Sequence, residues 1–314
     1  MLPHLLLLCA VIIWGWTFVA TKILLAELGP VEILALRLAI ALPVLAILLR
    51  ARRVPLRFDR GDVTPLLAGG AIMTLHFLLQ VAGLVTTTAS NSGWIISVTP
   101  LALAVLSFLF LRERIGWSAV AGIAVATTGI LLLVSRGRLT NLDWLQSRGD
   151  WLILLSAHTW AAYTVVTRNL VRRRDPLAVT FAILLVAAIA IAIVSIWSAD
   201  FSRVRSLSAA GIGAVLFLAI AALAVGQWFW QVGVARLGAT RAGLYLYLEP
   251  LATLTLAVPL LGEPFGAVTV LGGGLILAGV YLGQRRTPNM EPRIANSEPR
   301  TEPEHDPRTE NSEA

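Results

Sequence analysis

Residues 100–132 read PLALAVLSFLFLRERIGWSAVAGIAVATTGILL, and residues 250–282 read PLATLTLAVPLLGEPFGAVTVLGGGLILAGVYL. Aligned without a gap at an offset of 150, the two stretches agree at 11 of 33 positions. Pro100 falls on Pro250, Glu113 on Glu263, Gly116 on Gly266, Gly122 on Gly272 and Gly129 on Gly279. The same offset pairs Gly83, Ala89 and Gly93 with Gly233, Ala239 and Gly243. Both copies are apolar on the scale of a membrane span. Duplicated helices with helix-breaking residues in matched places are the pattern of a secondary transporter.

Composition supports a membrane setting. The chain is 57% apolar and 14% charged, with a mean hydropathy of +0.79. Soluble domains carry about a quarter charged residues and spread them over a surface. Here the charges cluster between apolar runs, which excludes a soluble globular protein. The net charge of +7 comes from arginines at the ends of those runs, where they read as topology signals and lipid contacts. No nucleic-acid partner is expected. The single cysteine, Cys9, rules out an intrachain disulfide.

A helix needs about 20 apolar residues to cross a bilayer. Ten segments meet that length within its range: 5–26, 33–49, 65–85, 92–111, 117–134, 151–167, 177–197, 210–234, 242–261 and 267–283. The first lacks a basic leader and a clear cleavage site, so it reads as a spanning helix and not a signal peptide. With the N-terminus cytoplasmic, inner loops and tail hold 18 Lys and Arg against 5 outside. That bias places both termini in the cytoplasm, and the expected location is a plasma (inner) membrane. Five spans per copy make the second copy upside down relative to the first. The expected fold is therefore all-α, ten transmembrane helices in two inverted five-helix repeats. The repeats are residues 1–135 and 151–286, joined by a loop at 136–150. Residues 287–314 hold five prolines, seven acids and three arginines with little that is apolar, and read as a disordered cytoplasmic tail.

The chain resembles the EamA-type branch of the drug/metabolite transporter superfamily over essentially all of residues 5–283. The resemblance rests on the Trp14-Gly15-x-Thr17 opening, Arg37 early in the second span, and Pro100 with Glu113. In the second copy it rests on Trp160, the Leu248-Glu249-Pro250 turn, Glu263 and the glycine-rich last span. The opening helices also match at an offset of 146, pairing Trp14 with Trp160, Thr21 with Thr167 and Lys22 with Arg168. The resemblance implies a carrier of small metabolites, often an exporter of amino acids or related compounds, driven by protons or by the substrate gradient.

Of 18 carboxylates only Glu249 falls well inside a span. An ionisable group there is costly and faces a cavity or a partner. At helical spacing Tyr245, Glu249 and Thr253 share one face, and Pro250 bends the helix beside the acid. Glu249 is a candidate for the coupling proton or a substrate ammonium; the bland alternative is a neutral packing glutamate. His76 and Gln80 share a face of the third span, and Gln227 and Gln231 lie in the eighth. Trp14, Trp160 and Tyr163 are candidate cavity walls, against the usual reading of aromatics as lipid-facing filler. His76 can relay a proton or serve as a hydrogen-bonded packing residue. Arg37 is a candidate partner for a substrate carboxylate or for Glu249. Pro100 and Pro250 read as helix breaks. Glu113 and Glu263 read as caps of the next helix paired with local arginines.

No metal or nucleophile signature appears, no cofactor is expected, and the chain does not read as an enzyme. No Walker motif appears, so ATP does not drive it directly. The expected partners are a small-molecule substrate, the bilayer and a coupling proton, with the protein a monomer or homodimer. A lipid flippase or scramblase of the same fold stands as the alternative, and a lipid-modifying membrane enzyme behind it.

Overall fold

The computed structural model describes residues 1–113, 116–135, 145, 147–262 and 266–284. Glu263, most of the 136–150 loop and the 287–314 tail lie outside the described residues. Everything regular among the described residues is helical. The helices are α1 (Leu2–Leu25), α2 (Pro30–Ala51), α3 (Arg60–Thr86), α4 (Ala89–Ile96), α5 (Thr99–Leu111), α6 (Trp117–Val134) and α7 (Arg148–Arg173). They continue as α8 (Pro176–Ser198), α9 (Ala209–Leu216), α10 (Gln227–Leu237), α11 (Ala239–Gly243), α12 (Glu249–Leu261) and α13 (Ala267–Gln284).

Among the described residues, seven helical stretches are long and apolar enough to cross a membrane. They are α1, α2, α3, α8, the α4–α5 stretch Ala89–Leu111, the α9–α10 stretch Ala209–Leu237 and the α11–α12 stretch Ala239–Leu260. Two apolar helices are shorter, Trp117–Leu132 and Val270–Gln284. The 26-residue α7 is long enough but more polar, with Asp150 in its first turn and Arg172 and Arg173 in its last.

Local chemistry sets the ends. Pro30 and Pro176 open α2 and α8 from positions where a missing N–H costs nothing. Ser147 and Asp150 cap α7 reciprocally, as Asp59 and Asp62 cap α3. Gly238 closes α10 at φ 84°, a backbone region that residues with a Cβ avoid.

Among the described residues three helical stretches are irregular, and two of them are repeat mates. The first copy's fourth span breaks between α4 and α5. Pro100 cannot donate to Ile96, and the Thr99 hydroxyl donates to the Ile96 carbonyl instead, at 2.5 Å. In the second copy a 3-10 segment, Leu244–Leu248, separates α11 from α12. There Pro250 leaves the Leu246 carbonyl to the Glu249 N–H. The third irregularity is a π-helical stretch, Phe217–Gly226, between α9 and α10.

α1 packs on α12 and α10, α3 on α7 and α8, and α6 on α13. The last contact is close enough to need glycine. A Cβ on Gly122 would meet the Gly279 carbonyl at 2.5 Å, and one on Gly129 the Gly272 carbonyl at 2.6 Å. The two helices therefore run antiparallel.

Polar groups tie the helix ends together. Arg174, after α7, bonds Asp62 at 2.7 Å and also pairs with Asp59, and this raises its pKa further. Glu113 accepts from Arg168 at 3.0 Å and from the Thr240 N–H at 3.2 Å and hydroxyl at 2.9 Å. It thus caps α11, across the bundle, and not the helix that follows it. Beyond α1, Glu27 accepts from the Ser208 N–H and hydroxyl at 2.8 and 2.6 Å, which hold its carboxyl below the usual glutamate value.

Candidate functional site

The two proline breaks face one cavity. Ile96 and Thr99 line it from the first break, Leu246 and Glu249 from the second. At the 150-residue offset these are mates: Ile96 with Leu246, and Thr99 with Glu249. Thr99 is an ordinary residue of an apolar span by type, and only its 150-residue match with Glu249 marks it. The remaining wall comes from Trp14, Thr17 and Phe18 of α1, Arg37 of α2, His76, Phe77 and Gln80 of α3, Trp160 of α7, Ala222 and Leu223 of the π-helical stretch, and Gln227. About 50 Å³ of the cavity admits the centre of a water molecule, which is room for a few waters.

Trp14 and Trp160, the mates that open the two copies, meet edge to face with centroids 4.8 Å apart. Trp230 closes the cluster at 5.5 Å from Trp14 and 5.7 Å from Trp160. The Trp14 indole donates to the Ala222 carbonyl at 3.1 Å, so the π-helical stretch and α1 are joined at the cavity wall. The Thr253 hydroxyl lies within 2.9 Å of the carbonyls of both Gly15 and Glu249. It holds the start of α12 against α1, where a Cβ on Gly15 would meet the Glu249 carbonyl at 2.6 Å.

His76 Nδ1 lies 2.9 Å from the Ser156 carbonyl. A carbonyl only accepts, so Nδ1 carries the proton, and in the neutral ring Nε2 is left as an acceptor. Gln227 points its amide N–H₂ toward the Met73 sulfur at 3.9 Å, leaving its buried Oε1 without a partner. Arg37 is 7% exposed, its guanidinium sits 4.3 Å above the Phe77 ring, and its buried Nε has no hydrogen-bond partner. Glu249 is 5% exposed. Among the described residues neither Arg37 nor Glu249 makes an ion pair.

Three residues expected in the cavity wall, Tyr245, Tyr163 and Gln231, are absent from its lining. Tyr245 turns instead to His4 of α1, whose Nδ1 lies 2.6 Å from the phenol oxygen. The cause is the 3-10 segment: at three residues per turn, positions four apart no longer share a face. Tyr163 and Gln231 bond one another behind Trp160, the amide donating to the phenol oxygen. Pro100 and Pro250 sit at the breaks, Glu113 sits at the far end of α7, and Glu263 lies outside the described residues.

The chain resembles known proteins along most of its length. It is 29% identical over 277 residues to an uncharacterized transporter of Archaeoglobus fulgidus, covering 87% of this chain and 95% of that one. It is 28% identical to a probable terminal-alkyne amino-acid exporter of Streptantibioticus cattleyicolor, with 90% and 93% covered. A probable amino-acid metabolite efflux pump of Salmonella typhimurium is 26% identical, with 88% and 93% covered. A crystal structure superposes with a TM-score of 0.73 over 90% of this chain and 96% of that chain, at 19% identity, which speaks to fold alone. The EamA-like transporter family matches at residues 1–135 and again at 147–283. With two family matches in tandem and several membrane-length helices, the chain is a multi-pass membrane protein that belongs to the EamA-like transporter family.

Proposed function

We propose that this protein is a secondary active transporter that exports amino acids or related small metabolites by alternating access across a plasma membrane, with a proton as the coupling ion. The observation that carries the reading is the cavity where two repeat-matched helix breaks meet, holding a buried acid and a buried arginine that are each without an ion pair. Discontinuous helices that present backbone and charge at mid-membrane are how transporters build substrate sites.

The inverted ten-span architecture is part of the same reading. Gly122 faces Gly279 and Gly129 faces Gly272, while the repeat pairs Gly122 with Gly272 and Gly129 with Gly279. Contacts that exchange partners in this way are those of a two-fold axis. Because the two helices are antiparallel, that axis lies across them, in the plane of the membrane. Residues 1–135 and 151–286 are then two halves that can exchange conformations, with both termini cytoplasmic. The amino-acid class is supported by the printed names of two relatives and by the polar cavity with aromatic walls. Glu249 is the coupling site in this reading: it takes a proton in one facing state and yields it as substrate binds.

The test is efflux from proteoliposomes loaded with amino acids, nucleosides and polyamines under an imposed pH gradient, with released solutes identified by mass spectrometry. Release of amino acids above empty liposomes, steepened by the gradient, is the expected result. Failure to release any soluble compound overturns the transport reading in favour of a lipid substrate.

A further inference from the structure

We propose that Arg37 and Glu249 are the two ends of a clamp for a zwitterion, the guanidinium taking a carboxylate and the glutamate taking an ammonium. The proposal rests on the transport reading and specifies how its substrate is recognised.

Nine acids fall among the described residues, and eight of them accept hydrogen bonds from the protein. Asp59 and Asp62 serve Arg174, and Glu113 serves Arg168. Asp150 accepts from Asn91, Glu27 from Ser208 and Glu32 from the Asp200 N–H. Asp175 and Asp200 cap the turns that follow them. Glu249 alone accepts none, although it is among the most buried. Arg37 is its counterpart: guanidinium stays charged under all ordinary conditions, and here it sits over the Phe77 ring with its buried Nε lacking a hydrogen-bond partner. A cation resting on a desolvated ring gains far less than a buried charge requires.

Both residues line the same cavity, Arg37 from α2 and Glu249 from α12, yet no nitrogen of one comes within ion-pairing distance of an oxygen of the other. A molecule with one charge leaves the other end uncompensated in a site shielded from bulk water. A molecule with a carboxylate and an ammonium satisfies both ends and adds no net charge to the membrane interior. The guanidinium fork also fits a carboxylate in two-point fashion, which a lone ammonium binder would not need. The Trp14 and Trp160 rings supply an apolar wall for the substrate's side chain.

The experiment measures ligand-induced thermal stabilisation of the full chain in detergent, using alanine, leucine, methionine and phenylalanine. Each is compared with its amide, which keeps only the ammonium, and with its N-acetyl form, which keeps only the carboxylate. At least one parent amino acid binds at least tenfold more tightly than both derivatives. Arg37→Gln removes the preference for parent over amide, and Glu249→Gln removes the preference for parent over N-acetyl form. The ranking in the unaltered protein decides the matter even where a variant does not fold. Equal binding of an amide or an N-acetyl form overturns the clamp. Absence of amino-acid binding also overturns it, while release of another solute class from the loaded proteoliposomes leaves transport itself standing.

Discussion

At the scale of single residues, the transport reading turns on Glu249, because among the described residues it is the one acid that lines the cavity. Replacing it with glutamine keeps the shape and removes the titration. A pH unit is worth 1.36 kcal/mol, so coupling of one proton per substrate supports about a tenfold gradient per unit. Glu249→Gln should abolish that accumulation under a pH gradient, whereas Thr99→Val, its repeat mate, should keep it, because the hydroxyl serves only the Ile96 carbonyl. Accumulation by Glu249→Gln equal to the parent's would place coupling elsewhere. Much of the cavity wall could be read from the sequence. Arg37, His76, Gln80, Gln227 and Glu249 stand out because polar groups are costly in apolar spans, and Trp14 and Trp160 stand out through the repeat. Tyr245 departs from the lining because helical spacing assumes 3.6 residues per turn, and four residues of 3-10 helix turn a side chain about 120° away from the Glu249 face. Phe18 and Ile96 carry no sequence signal that separates them from neighbouring apolar residues.

At the scale of elements, the α6–α13 contact and the loop caps make separable predictions. Gly129→Val puts side-chain atoms into the Gly272 backbone and should cost about 1–3 kcal/mol as overpacking. Gly274→Val, on the same helix pair but with nothing within 4 Å of an added Cβ, should leave thermal unfolding nearly unchanged. Equal loss of stability in both would argue against the close α6–α13 approach. The Glu27 cap on Ser208 has its own signature in pH. Its folded-state pKa lies below the ordinary 4.5, so its contribution is full above that value and fades as pH falls through the lowered one. The melting-temperature gap between parent and Glu27→Gln should therefore be largest near neutrality and close in acid. A gap that widens on acidification would reverse the sign and refute the cap. These elements were unequally legible. The glycines were visible as matched positions, and helix ends at Pro30, Pro176 and Gly238 follow from local rules. The π-helical stretch was not legible, because Phe217–Gly226 is uniformly apolar and its contact with the Trp14 indole comes from another helix. The capping of α11 by Glu113 likewise depends on tertiary approach and not on spacing.

At the scale of the whole molecule, α7 is a measuring rod between two polar contacts. Asp150 in its first turn accepts from Asn91 at 2.7 Å and from Thr87, joining α7 to the junction of α3 and α4. Arg168 near its end binds Glu113 at 2.9 Å, which also holds α11. Eighteen residues separate Asp150 from Arg168, about 27 Å of helix, close to the hydrocarbon thickness of a bilayer. The two contacts therefore sit at opposite ends of the bundle, with the cavity of Trp160 between them. With about 50 Å³ open to water centres, the cavity has to widen before an amino acid fits. Under alternating access, that widening releases one end while the other stays closed. In a Cys9→Ala background, cysteines replacing Asn91 and Asp150 should be joined by a short thiol cross-linker, and transport should stop until the link is cleaved. A second pair replacing Glu113 and Arg168 should behave the same way from the opposite end. The decisive comparison is reciprocal. Locking the Asn91–Asp150 end should raise the reactivity of a reporter cysteine at Thr240, beside Glu113, and locking the Glu113–Arg168 end should raise reactivity at Thr87. Reporters that stay equally protected in both locked forms would mean that the ends do not alternate, and the two halves would then be a fixed scaffold around a site that exchanges solute by some other route.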